Sequence, residues 1–147
     1  MIRQGRFIPK NPHKYRGNFD NIIFRSSWER RVMVYLDDHP SIVEWSSEEI
    51  IIPYVSPIDN RYHRYYVDFF LKIKTKDGQT KTMLWEIKPA AQTQQPEKKK
   101  RVTKQYITEV MRWGVNEAKW KAATEYCLDR GWEFKLITEH DLGITYK

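Results

Sequence analysis

An acidic residue inside an apolar run is the most restrictive feature of this chain. Asp68 lies in the run 65–71, and a second acid, Glu86, follows in the short segment Trp85-Glu86-Ile87-Lys88. Burying an unpaired carboxylate is costly, so such groups are normally paired or bind a cation. Side chains alternate along a strand, so Glu86 and Lys88 share one face. We therefore expect two acids and a lysine to meet on neighbouring strands.

The segment between the two acids contains an Asp-Gly pair ending at Gly78, which is a β-hairpin signal. A two-residue loop would place the acids on opposite faces of the sheet. A three-residue loop pairs Thr75 with Gln79 and places Asp68 directly opposite Glu86, with Gly78 in the left-handed position that such a loop needs. We predict this register, or one equivalent to it through a bulge.

A first helix is predicted from about Ser26 to the residues before Pro40. Ser26 and Glu29 have the spacing of a capping box, in which the two side chains cap backbone N–H groups of the first turn. The residues expected to face the core are Trp28, Val32, Tyr35 and Leu36.

Further strands are predicted at 42–45, 49–55 and 132–138 from apolar runs and alternation. Together with the acid-bearing strands and the helices, they indicate a mixed β-sheet flanked by helices, which is an α/β fold. A chain of 147 residues with six Trp, nine Tyr and six Phe is long and apolar enough for one domain with a real core.

Two late helices are predicted at 104–112 and 116–129, separated at Gly114. Asn116 is expected to cap the second helix and Gly131 to end it. The side chains expected to pack inward are Trp120, Ala123 and Cys127.

The formal charge of +7 favours a polyanionic partner, and nucleic acid is the first candidate. Residues 1–18 carry five basic and no acidic side chains, Arg3 and Arg6 among them, and predict a basic arm before a single domain at 19–147. Residues 89–103 predict a surface loop that follows a nucleic-acid backbone. Its basic cluster comprises Lys98, Lys99, Lys100 and Arg101. The alternatives are a loosely packed terminus and a solvated loop without a partner.

Cys127 is the only cysteine, which excludes an internal disulfide and indicates a reducing compartment. The sequence shows neither a signal peptide nor an apolar stretch long enough to span a bilayer, so no membrane association is expected.

The acids and the lysine suit metal-dependent cleavage of a phosphodiester. Mg²⁺ prefers oxygen ligands and usually takes one or two carboxylates while keeping several waters. Asp68 and Glu86 are the predicted ligands, with the backbone carbonyl of Ile87 as a third. Lys88 would hold the attacking hydroxide and offset phosphate charge. Glu29 would orient a water or a second ion.

Each of these residues also has a purely structural interpretation. Glu29 makes sense as a capping residue without any catalysis. Asp68, Glu86 and Lys88 can form a buried structural ion pair. Two acids and one base leave a negative surplus, however, and this surplus favours a cation. Tyr66 shares the face of Asp68 in a regular strand and would either border the site or pack in the core.

The pattern of Asp68 followed by Glu86-Ile87-Lys88 resembles the core of the PD-(D/E)xK nucleases, although Val67 replaces the frequent proline. The segment 24–29, with its acid on the first helix, is similar to the N-terminal domain of TnsA-type transposon endonucleases. So are segments between 116 and 142, and the resemblance covers about residues 20–143. It implies a restriction-endonuclease-like αβββαβ core and Mg²⁺-dependent DNA cleavage, with Mn²⁺ as a second candidate ion. The matching positions are Glu29, Asp68, Glu86 and Lys88.

The short chain and the basic arm also resemble the head completion nucleases of T4-like phages. This resemblance implies action on packaged double-stranded DNA before head–tail joining. It also implies a location in the host cytoplasm or with the virion, and protein partners in the phage head, portal or neck. A non-catalytic DNA-binding protein of virion assembly is the alternative. RNA binding through exposed aromatic side chains is a third interpretation, and here most aromatics fall on core-periodic positions.

Overall fold

The structure is a computed structural model and describes residues 4–143. Its strands and α-helices are β1 (Gly5–Phe7), β2 (Ile22–Phe24), α1 (Ser27–Asp38), β3 (Ile42–Ser47), β4 (Ile51–Val55), β5 (Tyr62–Tyr66), β6 (Phe69–Lys74), β7 (Thr80–Ile87), α2 (Lys104–Arg130) and β8 (Glu133–Ile137). Short 3₁₀ helices occupy Pro12–Lys14 and Ala90–Gln92. Within residues 4–143, no helix combines the length and the apolar character needed to cross a membrane.

Four strands form the central sheet in the order β3-β6-β7-β8. β3, β6 and β7 are antiparallel neighbours, and β8 runs parallel to β7. α1 packs on one face of this sheet through Val32 and Leu36. α2 covers the other face through Trp120, Ala123 and Cys127. The chain order α1-β3-β6-β7-α2-β8 confirms the expected mixed α/β, restriction-endonuclease-like core.

The hairpin between β6 and β7 has the predicted three-residue loop. The Thr75 N–H donates to the Gln79 carbonyl at 2.8 Å. Gly78 adopts the left-handed conformation at φ 83°. The ladder keeps this register along its whole length, so Asp68 stands opposite Glu86, one step beyond the last ladder pair. The predicted register is confirmed.

The acid-bearing run 65–71 was predicted to form one strand, and this prediction is wrong. β5 ends at Tyr66 and β6 begins at Phe69, so Asp68 lies in the break between them. Val67 and Phe70 both belong to the core on the α2 side. Their spacing of three shows an extra residue in the alternation, as in a β-bulge.

The neighbouring chain segment breaks at the same level, between β3 and β4. Glu48 occupies this break at φ 56° and donates its N–H to the Asp68 carbonyl at 3.2 Å. The predicted strand 49–55 therefore begins only at Ile51. Beyond the break, β4 and β5 form a separate two-stranded sheet that packs against α2.

The predicted interruption of the late helices at Gly114 is wrong, because residues 104–130 form one continuous helix. A glycine inside a helix costs about 1 kcal/mol relative to alanine, and packing on both sides of Gly114 outweighs this cost. The Trp113 and Trp120 rings, for example, pack edge to face at 5.9 Å. Asn116 is buried inside the helix and does not cap it. The helix ends as predicted at Gly131, which has φ 70°.

The core positions predicted on the helices are largely confirmed. Val32 and Leu36 are buried on α1, and Trp120, Ala123 and Cys127 are buried on α2. Tyr35 is an exception, because 42% of its surface is exposed. Its ring lies on the rim of the core, where it stacks on Trp85 at 6.4 Å.

Part of the N-terminal segment contributes to the core, so the loosely packed alternative is wrong for residues 5–15. β1 pairs with β2, and the Phe7 and Tyr15 rings pack edge to face on Trp45. The buried Lys14 ammonium donates to the carbonyls of Asp37 and His39 at 2.8 and 3.0 Å, where α1 ends. A cation is favourable there, since the last carbonyls of a helix lack partners.

Asp37 joins the N-terminal segment to α1. Its carboxylate is buried and accepts the backbone N–H groups of Lys10 and Asn11 at 2.8 and 3.2 Å. We expect Asp37→Ala to lower the free energy of unfolding by about 2 kcal/mol, because two donors lose a charged acceptor. Urea unfolding measures this change. The exposed neighbour is the control, since Asp38→Ala should cost less than about 0.5 kcal/mol. Equal stability of the two variants would contradict the assignment.

Candidate active site

Asp68 lies where the β4–β5 pair leaves the central sheet. Its Oδ2 accepts a hydrogen bond from the Ile87 N–H at 2.8 Å. Burial raises the pKa of the Asp68 carboxyl well above its usual range, and the charge of Glu86 raises it further. The hydrogen bond from the Ile87 N–H lowers the pKa of Asp68, against these two effects. The Asp68 carboxylate is thus held in place by the backbone beside a second acid.

Glu86 lies near the end of β7 and is only 6% exposed. Its Oε1 is fully buried, and no described residue donates a hydrogen bond to it. Its Oε2 lies 3.9 Å from the Nζ of Lys88, whose side chain is 26% exposed. A loose contact with one ammonium does not neutralise two carboxylates.

The structure therefore brings Asp68, Glu86 and Lys88 together, as the strand pattern predicted. Asp68 and Glu86 approach closely enough for the charge of Glu86 to raise the pKa of Asp68. Both carboxylates lie on the side of the sheet that α2 covers, because Glu86 shares the face of Leu84 in β7. The catalytic roles of these residues stay predictions.

Glu29 borders this site from the first turn of α1. Ser26 caps the helix, accepting the Glu29 N–H at 3.2 Å, as predicted. The reciprocal bond of a capping box goes instead to Arg25, whose N–H lies 3.4 Å from Glu29 Oε1. Burial raises the pKa of the Glu29 carboxyl, and the charge of Glu48 adds to this. Glu29 in turn raises the pKa of Asp68, so its carboxylate faces the acidic site.

Arg25 and Glu48 were not predicted as site residues, yet they complete its border. Arg25 donates through Nε and Nη2 to the two carboxylate oxygens of Glu48, at 2.9 and 3.0 Å. No sequence pattern indicated that Glu48 belongs to the site, because residue types predict neither its left-handed backbone nor its hydrogen bond to the Asp68 carbonyl.

Tyr65 was also missed. It is 3% exposed, and its hydroxyl makes no hydrogen bond with any described residue. Burial raises the pKa of Tyr65, and the charges of Glu86 and then Asp68 raise it further, so the hydroxyl faces both acids. Regular alternation placed Tyr66 on the face of Asp68 and Tyr65 on the other. The break after β5 reverses this, and Tyr66 remains about half exposed.

Among the described residues, the predicted DNA-binding side chains make no hydrogen bond or ion pair with Asp68 or Glu86. Arg6 is exposed, and its guanidinium donates to the Asp20 carbonyl. Arg3 lies outside the described residues. The segment after Ala90–Gln92 is an irregular surface segment, as predicted, and Lys98, Lys99, Lys100 and Arg101 are all exposed on it. Within residues 4–143, these four side chains form no ion pair with an acid.

Two comparisons with known proteins bear on this site. A sequence model described as "TnsA-like endonuclease N terminal" matches residues 39–139. The chain is also 37% identical over 146 residues to the head completion nuclease of Enterobacteria phage T4, covering 97% of this chain and 95% of that protein.

The chain belongs to the TnsA-like endonuclease N-terminal family. The matched residues include Asp68, Glu86 and Lys88, whereas Glu29 precedes them. The family is of the PD-(D/E)xK type, whose nucleases typically depend on a divalent metal ion.

The residues of the TnsA-like site fit such an ion. Glu86 Oε1 is a buried carboxylate oxygen without a hydrogen bond, and Asp68 carries a second, poorly neutralised charge beside it. Across residues 4–143, no group of three or more His, Cys, Asp and Glu side chains is arranged to hold a metal. Two carboxylates are nonetheless a usual protein contribution for Mg²⁺, which retains several waters.

The left-handed backbone of Glu48 gives a stability prediction. A non-glycine residue at positive φ is strained by about 1 kcal/mol, and glycine is not. We therefore expect Glu48→Gly to exceed Glu48→Ala in the free energy of unfolding by about 1 kcal/mol, since both variants lose the same carboxylate.

The neighbouring residue supplies the control for this comparison. Glu49 is not in the left-handed region, so Glu49→Ala should be more stable than Glu49→Gly. Chemical denaturation of the four variants measures both differences. The same order of Ala and Gly at the two positions would show that Glu48 carries no such strain.

Proposed function

We propose that this nuclease is a Mg²⁺-dependent deoxyribonuclease that hydrolyses phosphodiester bonds of double-stranded DNA. Endonucleolytic cleavage is the principal mode, and trimming from DNA ends is the second. The observation that supports the proposal best is the meeting of Asp68 and Glu86 beside Lys88. Membership of an endonuclease family agrees with it.

Asp68 and Glu86, together with the backbone carbonyl of Ile87, are the residues that would hold the ion. When bound, Mg²⁺ supplies positive charge against the phosphate oxygens. The chain prepares for it by fixing one oxygen of Asp68 on the Ile87 N–H, at 2.8 Å, which leaves the other oxygen available.

Lys88 and Glu29 act on the reacting atoms in this proposal. The Lys88 ammonium is partly exposed, so it can reach a phosphate oxygen and hold the attacking water. Glu29, whose pKa is raised by burial, orients that water from the end of α1.

The biological setting is proposed by similarity to the T4 protein, which is named a head completion nuclease. We propose that this chain trims packaged DNA before head and tail join, in the host cytoplasm or with the virion. Its protein partners would then belong to the phage head, portal or neck.

DNA binding is assigned in this proposal to the exposed basic residues. Arg3, Arg6 and the cluster at 98–101 would contact phosphates. Phosphate contacts position a nuclease on the duplex without reading its sequence. Low base specificity suits an enzyme that trims DNA of any sequence.

Removal of a ligand or of the ammonium tests the catalytic site. We expect Asp68→Ala and Lys88→Ala each to lower the rate of plasmid nicking by about 10²-fold or more. The measurement is conversion of supercoiled to nicked and linear DNA, in Mg²⁺ and in EDTA. Lys81→Ala is the control, because Lys81 lies on the same strand, β7, and forms an ion pair with Glu133 at the surface.

Far-UV circular dichroism would establish that the variants remain folded. Full cleavage by folded Asp68→Ala protein would refute the proposed site. Retention of DNA by the unaltered protein, with no product that depends on a metal, would instead favour a non-catalytic virion assembly protein.

The basic cluster gives a second prediction. Lys99→Gln combined with Lys100→Gln should weaken DNA binding and reduce the slope of log K against log salt by about 1 for each phosphate that the variant no longer neutralises. Fluorescence anisotropy in EDTA measures both quantities. Lys74→Gln with Lys76→Gln removes two exposed charges near the hairpin turn and serves as the matched control. Equal weakening in the two double variants would indicate an effect of net charge alone.

A further inference from the structure

Two of the buried polar atoms that lack hydrogen bonds within residues 4–143 belong to side chains that interact with each other. They are the hydroxyl of Tyr65 and Oε1 of Glu86, neither of which has a partner among the described residues. Leaving a buried hydroxyl unpaired costs about 1–3 kcal/mol, and a carboxylate oxygen costs more. Two such atoms side by side require a physical explanation.

The fold brings these two side chains to the same place. Tyr65 pairs with Ile52 in the β4–β5 sheet and faces α2, in the same apolar cluster as Leu84. Glu86 lies two residues after Leu84 on β7 and so points to the same side of the sheet. The strand break after β5 turns Tyr65 toward the acids, and its ring is held there against Lys119, whose Nζ lies 5.6 Å from the ring centroid.

The two oxygens of Glu86 have different surroundings. Oε2 lies 3.9 Å from the Nζ of Lys88, whose side chain is partly exposed. Oε1 is fully buried without a donor among the described residues, and the buried Tyr65 hydroxyl is a group that interacts with Glu86. A tyrosine hydroxyl carries its proton at neutral pH and can donate it to a carboxylate.

We propose that Tyr65 is a positioning residue for the metal site: when the cation is bound, its hydroxyl donates to Oε1 of Glu86 and so directs Oε2 toward the cation. The inference rests on the proposed function and adds a residue to it. Groups that hydrogen-bond to a metal ligand fix its orientation, and their loss typically costs about 10–100-fold in metal affinity or activity.

Tyr54 offers a matched control on the neighbouring strand. It is also buried, and its ring lies 5.8 Å from the same Lys119 ammonium. Its hydroxyl, however, is not affected by Glu86, and its ring packs on His63 at 5.8 Å. Tyr54→Phe therefore removes a hydroxyl from a similar environment without touching the acids.

The experiment follows thermal unfolding without DNA while Mg²⁺ is titrated into four proteins: the unaltered protein, Tyr65→Phe, Tyr54→Phe and Asp68→Ala. We expect a given Mg²⁺ concentration to raise Tm of the unaltered protein and of Tyr54→Phe by the same amount. Tyr65→Phe should need about tenfold more Mg²⁺ to reach the same rise in Tm. Without metal its Tm should equal or exceed that of the unaltered protein, since an unpaired hydroxyl is gone. Asp68→Ala should show no shift.

The plasmid nicking assay gives a second readout of the same effect. Tyr65→Phe should be impaired at low Mg²⁺ and recover most of its kcat at saturating Mg²⁺, which a general loss of structure would not allow. If Mg²⁺ raised Tm of Tyr65→Phe as much as that of Tyr54→Phe at every concentration, while Asp68→Ala showed no rise, the role of Tyr65 would be overturned and the proposed function would remain intact.

Two other outcomes also contradict the role. Tyr65→Phe protein that is unfolded without metal would show that the hydroxyl has a structural role. A full Mg²⁺ shift in Asp68→Ala would refute the proposed metal site itself, and with it the role of Tyr65.

Discussion

The approach of two carboxylates inside the protein is the constraint on which the rest of this structure depends. Asp68 and Glu86 repel each other and are poorly solvated, so folding without a cation has to overcome both costs. The backbone holds both acids in place despite these costs, because Asp68 accepts the Ile87 N–H and Glu86 lies on β7, between β6 and β8. In the proposed function, a bound cation would offset the free energy needed to hold the acids together, and metal affinity would then be linked to folding stability.

The site exists because the sheet is interrupted. β3 and β6 separate from β4 and β5 at one level, where Glu48 bonds to the Asp68 carbonyl. An uninterrupted ribbon would send Tyr65 away from Asp68. β-Bulges are common beside active sites because they redirect a side chain in this way. The left-handed Glu48 is a local cost of the arrangement.

The parts of this site that follow from local rules could be predicted from the sequence. Gly78 suits either a two-residue or a three-residue loop, and only the three-residue loop brings the two acids to one face, with Asp68 opposite Glu86. The continuity of α2 could not be predicted, since Gly114 is a correct local signal for a break that packing on both sides overrides. Glu48 and Tyr65 were missed for a related reason. Their positions depend on a backbone irregularity that alternation assumes to be absent.

The N-terminal segment carries basic residues and also packs against α1, the helix that brings Glu29 to the acidic site. Lys14 belongs by sequence to the basic arm, but its ammonium is buried and binds the last carbonyls of α1. The opposite end of the same helix carries Glu29 at the acidic site. A segment that packs against one end of a rigid helix restricts the position of the other end, so the arm supports the site as part of the core. Only its exposed charges, such as Arg6, remain available to a phosphate backbone.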